Sequence, residues 1–190
     1  VQSEYDPEKA KALLAEAGYP DGFKTTMPCS PAGTGIPSTD QIMEVIQSNL
    51  ADVGIDVELQ MTEWNAYVTE WLKGIPQGKG IGAWCMAIGT DDAFILSMYT
   101  HSKNAPPVGW ATGWYSNAAE LDPLLDQADA ASSYEGYIDL YQQAQQVMLK
   151  DLGYIFVLHD TGPYAVGKRV QGWVPARSWL QDVSRAWVTG

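Results

Sequence analysis

Two adjacent carboxylates, Asp91 and Asp92, are the acidic pair best placed for chemistry in this 190-residue sequence, in the stretch CMAIGTDDAFILSMYT directly after Trp84. Paired carboxylates perform acid–base work in glycoside hydrolysis, so an α/β hydrolase using Asp91 or Asp92 is one reading. Neighbouring residues rarely point the same way, however. A second reading has one of the two capping a helix that runs through Phe94 and Leu96, and a third has them contact a ligand. Tryptophan is the other conspicuous residue, with eight in the chain. Trp110 and Trp114 fall in the loop HSKNAPPVGWATGWYSN. There they serve either as aromatic platforms for a ligand or as anchors that pack the loop onto the body.

Other catalytic signatures are missing from the sequence. AGTGIPS lacks the GK[ST] ending of a phosphate-cradling loop. GKGIGAW precedes a strand, whereas a dinucleotide fingerprint follows one. No G-x-S-x-G elbow supports a serine nucleophile. The two histidines, His101 and His159, are far apart, and Cys29 and Cys85 lack zinc spacing, so neither a metal nor a cofactor is expected. The cysteines pair if the compartment is oxidising, or else stand as buried thiols.

The elements that must position these residues alternate. Asp6 and Pro7 start a helix with the stripe Ala10, Leu13, Leu14 and Ala17; Gly18 and Pro20 stop it. Lys24 to Cys29 reads as a strand. Ser38 or Thr39 caps a second helix carrying Ile42, Val45, Ile46, Leu50 and Val53. In IDVELQM, Ile55, Val57, Leu59 and Met61 alternate with polar residues, as a half-buried strand requires. Trp64, Tyr67, Val68, Trp71 and Leu72 mark a third helix closed by Gly74, and GIGAWCMAIG reads as a strand buried on both faces. Helix–strand alternation of this kind argues for an α/β fold with a mainly parallel sheet flanked by helices, whose ligands sit outside the carboxyl ends of the strands. Beyond Asn117, two helices follow, with Leu121, Leu124, Leu125 and Ala128 on one and Tyr137, Leu140, Tyr141, Ala144 and Met148 on the other. YIFVLH then reads as a strand, and a tail of short extended pieces ends the chain.

The formal net charge of −12 argues against a nucleic-acid partner, because phosphate contacts need clustered Lys and Arg. A neutral or cationic ligand is easier to accommodate. No apolar run reaches the length of a membrane span, and no basic-then-apolar leader opens the sequence.

Several segments, in order, resemble the extracellular solute-binding proteins of ABC transporters, family 5, the group typified by oligopeptide- and dipeptide-binding proteins. YDPEKAKALLAEAGYPDGF is similar to the start of that family's second large lobe. IMEVIQSNLADVGIDVELQ, WYSN…LDPLLDQA, LYQQAQQVMLKDLGYIFVLH and KRVQGW are similar to later segments, so the resemblance runs from about Tyr5 to Trp173. It implies one lobe of a periplasmic-binding-protein type II fold. Residues 1–160 would form the ligand-binding C-terminal lobe, and 161–190 the segment returning to a hinge and an absent N-terminal lobe. It also implies a non-enzymatic protein outside the cytoplasmic membrane, periplasmic or lipid-anchored, that hands a small solute to an ABC permease.

The implied solute is a peptide, with oligosaccharide or another polar organic solute as the competitor, and Trp84, Asp91, Asp92, Trp110 and Trp114 as contacts. Peptide-binding members hold the peptide's amino group with an Asp shortly after the strand tryptophan, a place filled here by Ala87. The family's usual Arg is Tyr137, and its usual Pro before the last strand is Gly153. In the implied strand order Cys29 and Cys85 lie on neighbouring strands, so a disulfide can form in an oxidising location; otherwise both are buried thiols. A remaining class of function is a protein-interaction lobe that presents Trp110 and Trp114 to a partner.

Overall fold

A computed structural model of the chain describes residues 5–32, 35, 38–74, 83, 85, 92–111, 117–151, 153–158, 164–176 and 181–190. The first helix, α1 (Pro7–Glu16), begins where Asp6 accepts the Lys9 N–H at 2.9 Å. It ends in two backbone bonds that satisfy its last carbonyls, Tyr19 N–H to Leu14 O and Gly18 N–H to Ala15 O. This is a Schellman closure, and Gly18 supplies the left-handed residue that it needs (φ +91°).

Strands β1 (Phe23–Cys29) and β2 (Ile55–Met61) are parallel, in register from Phe23 opposite Ile55 to Cys29 opposite Met61. Helix α2 (Thr39–Ala51) connects them and packs on β2, the β–α–β arrangement that parallel pairing requires. Where the two strands start, Phe23 N–H donates to Gly54 O at 3.2 Å. The approach demands glycine at 22: a Cβ there would fall 1.8 Å from the Gly54 oxygen. A first core forms from Met27, Cys29, Met43 and Val57, with Ile46, Leu50, Ile55 and Leu59 against it. The third strand expected over 80–89 lies mostly outside the described residues. Ala83 and Cys85, its two described members, pack against this same core.

Helix α3 (Trp64–Trp71) buries Tyr67 and Trp71, and Glu63 caps it by accepting Asn65 and Ala66 N–H. A short α4 (Ile95–Thr100) leads to a 3-10 turn at Ser102–Asn104. Helices α5 (Ala118–Asp129) and α6 (Tyr134–Asp151) pack side by side. Between them Leu121, Leu125, Ala128, Tyr141, Ala144, Val147 and Met148 make a second core, to which Ala93, Leu96 and Tyr154 add.

The strand expected at YIFVLH does not form over its described part, 154–158. Alternation and β-branching favour an extended chain, but a strand exists only with a neighbour to accept its hydrogen bonds, and no ladder joins this segment among the described residues. Ile155 is 80% exposed and Phe156 54%. Farther on, β3 (Val170–Gln171) and β4 (Trp187–Val188) pair antiparallel. Among the described residues no helix is long and apolar enough to cross a membrane.

Candidate functional site

Asp92 stands just before α4, on the turn that starts the helix. Its Oδ1 accepts the Phe94 N–H at 3.1 Å and the Tyr137 hydroxyl of α6 at 2.5 Å. These two donors, Tyr137 first, hold the carboxyl below the usual carboxylate range. Desolvation, reinforced by the bond to the anion, pushes the Tyr137 phenol up to about 12. A carboxyl held ionised in this way accepts hydrogen bonds and attracts cations, and it is poorly suited to donate a proton as a general acid near neutral pH. Asp92, Ala131, Ser132, Ser133, Tyr134 and Tyr137 line an open depression of about 400 Å³. Its aromatic wall is Tyr134 stacked beside Tyr137, and Tyr137 is backed edge-on by buried Tyr141.

Trp110 lies near the other end of α4, a helix of six residues and so roughly 9 Å long. Its ring is 6.2 Å from that of Tyr99, and its carbonyl accepts Trp71 Nε1 at 3.4 Å. The loop is fastened further by Ala111 N–H to Asn104 O, and by Asn104 Nδ2 to Ser97 O. Trp110 is thus half-buried and tied to both α3 and α4. The anchoring reading accounts for these contacts, and part of the ring surface stays accessible.

His101 is buried between α4 and α5. Its Nδ1 accepts the Lys103 N–H at 3.1 Å, which leaves Nε2–H to donate to Asp126 Oδ1 at 3.1 Å. Asp122 accepts Ser102 N–H beside it. The imidazole joins the turn after α4 to α5. Among the described residues no group of three His, Cys, Asp or Glu side chains could hold a metal ion.

Cys29 and Cys85 are both free thiols in one cluster, and each shifts the other's ionisation, Cys29 upward and Cys85 downward. The Tyr67 hydroxyl donates to the Cys85 carbonyl oxygen. This clamp was not evident in the sequence, where Tyr67 reads simply as part of the apolar stripe of α3. Tyr137 likewise reads in the sequence as a packing position, with no signal that it is the partner of Asp92. Of the residues singled out from the sequence, Asp92 and Trp110 flank α4, whereas Trp84, Ala87, Asp91, Trp114 and His159 lie outside the described residues.

Residues 1–106 match the profile of the bacterial extracellular solute-binding proteins, family 5, middle region. The chain is 34% identical over 174 residues to heme-binding protein A of Haemophilus influenzae, covering 90% of this chain and 30% of that protein. It is 30% identical over 171 residues to the dipeptide-binding protein of Escherichia coli, covering 90% and 31%. The solved structure of HbpA2 from Haemophilus parasuis superposes with a TM-score of 0.74 at 25% identity, over 100% of this chain and 36% of that one. The chain therefore spans about a third of the length of these relatives, and its parallel sheet and helices match part of a periplasmic binding protein structure. The profile covers more than half of the sequence, and the relatives agree with it along most of its length: the chain is a member of the bacterial extracellular solute-binding proteins, family 5.

Proposed function

We propose that the intact protein is the solute-binding component of an ABC importer, which encloses a small solute between this lobe and a second one and delivers it to a membrane permease. The observation that carries this reading is the family match over residues 1–106, which spans the whole β1–α2–β2 unit. Residues 1–160 act as the C-terminal lobe and 161–190 as the segment returning toward the hinge. The protein works outside the cytoplasmic membrane.

The solute is peptide-like. The net charge of −12 and the ionised Asp92 favour a ligand with a cationic amine over an anionic one. Asp91 and Asp92 stand only a few residues beyond Ala87, where peptide-binding members carry their amine-binding Asp. A second reading, an oligosaccharide or other polar organic solute, draws on the tryptophans: sugar rings stack on aromatic faces, and Trp84, Trp110 and Trp114 would supply them.

Native mass spectrometry of the full-length protein, purified without unfolding, tests the reading. A co-purified adduct of peptide mass is expected. A ladder of hexose masses would replace the peptide by the sugar reading, and a nucleic-acid or protein adduct would overturn both.

A further inference from the structure

Two cysteines in a chain of 190 residues meet in one core. Cys29 is the last residue of β1 and is wholly buried. Cys85 is half-buried and packs on the same cluster of Met27, Met43 and Val57. Both side chains therefore sit in one packed cluster, close enough for each thiol to shift the other's ionisation. The Cys29 S–H also lies 3.8 Å from the Ser30 carbonyl. The backbone at Cys85 is fixed separately, because buried Tyr67 donates its hydroxyl to the Cys85 carbonyl.

We propose that Cys29 and Cys85 close a disulfide that fastens Cys85 to the carboxyl end of β1. Parallel sheets open their ligand crevice at that edge, and Cys85 follows Trp84 directly in sequence. The bond thereby fixes the backbone next to a candidate ligand contact. The inference rests on the extracellular placement only for its oxidant. That placement supplies disulfide-bearing oxidants, which the cytoplasm keeps reduced.

The chemistry follows from burial. Cys85 is the less buried of the two, and the neighbouring Cys29 thiol lowers its pKa. Cys85 as thiolate attacks one sulfur of an oxidised glutathione or protein disulfide, and the other sulfur leaves as a thiolate. The Cys29 sulfur then attacks Cys85 Sγ, gives up its proton and expels the second thiol. Two S–H bonds are lost and one S–S bond forms, and the oxidant is reduced to two thiols.

The test equilibrates purified full-length protein with oxidised glutathione, then denatures, alkylates and digests it. A peptide pair linked through Cys29 and Cys85 is expected, together with a Tm that drops by a few degrees on reduction. The Cys29→Ala/Cys85→Ala protein should show no such shift. Recovery of both cysteines alkylated, or of Cys85 held as a lasting glutathione adduct beside free Cys29, would overturn the proposal. The peptide map on the unaltered protein decides even if the double variant does not fold.

Discussion

The contrast between Gly18 and Gly22 shows how much a single hydrogen atom in place of a side chain can matter. Both have positive φ. A Cβ at Gly18 meets nothing within 4 Å, so Gly18→Ala should cost only the left-handed strain, about 1 kcal/mol. At Gly22 the same atom runs into the Gly54 carbonyl, which Phe23 N–H already occupies. Gly22→Ala must therefore disturb the start of the β1–β2 ladder, and thermal denaturation of the two variants should rank it clearly the more destabilised. Asp92 gives a second residue-scale prediction. Its depressed pKa means that the interaction contributes stability above the ordinary carboxylate value of about 3.9, and loses it as pH falls through the lower folded value. Tyr137→Phe removes the larger cause. The Asp92 carboxyl should then titrate closer to the ordinary range by NMR, and the acid limb of the stability curve should flatten. The carboxylate is largely exposed, so the change in stability stays below about 1 kcal/mol.

At the scale of elements, α5 and α6 carry the second core. Leu125 is fully buried at their contact, and Leu125→Ala should cost about 2–5 kcal/mol by the loss of its packing. Tyr141 adds a polar tie, since its hydroxyl donates to Asp129 and lies 2.9 Å from Ser97 Oγ of α4. Tyr141→Phe should raise amide exchange in α4 while leaving that of β1 unchanged. Most of these elements are legible in the sequence. The local signals suffice: Asp6–Pro7 at a helix start, Gly18 and Gly74 at helix ends, strict alternation in Ile55–Met61, and a stripe through Leu121, Leu125 and Ala128. The YIFVLH segment differs from its sequence pattern over 154–158 because strand formation depends on a partner distant in sequence, which its own residues do not encode. The site was less legible than the fold for the same reason. The bond from Phe94 N–H to Asp92 is local, two positions apart, whereas the bond to Tyr137 spans 45 positions and has no sequence signal.

For the whole molecule, the exposed apolar run at 155–158 and the relatives' greater length support the proposal of one lobe within a larger binding protein. A half-site cannot enclose a solute, and enclosure supplies most of the affinity in such pockets. The 190-residue chain alone should therefore bind at least about tenfold more weakly than the full-length protein, a difference of roughly 1.4 kcal/mol. Hinge closure on the solute should quench or enhance tryptophan emission in the full-length protein. The most direct test of the central claim is a calorimetric titration of the full-length protein with a panel of short peptides and oligosaccharides, followed by recovery of the solute. The account predicts saturable binding of one solute class at one site per molecule, with the solute recovered unchanged. Recovery of a cleaved product, dependent on Asp91 or Asp92, or no saturable binding across the panel, would contradict it.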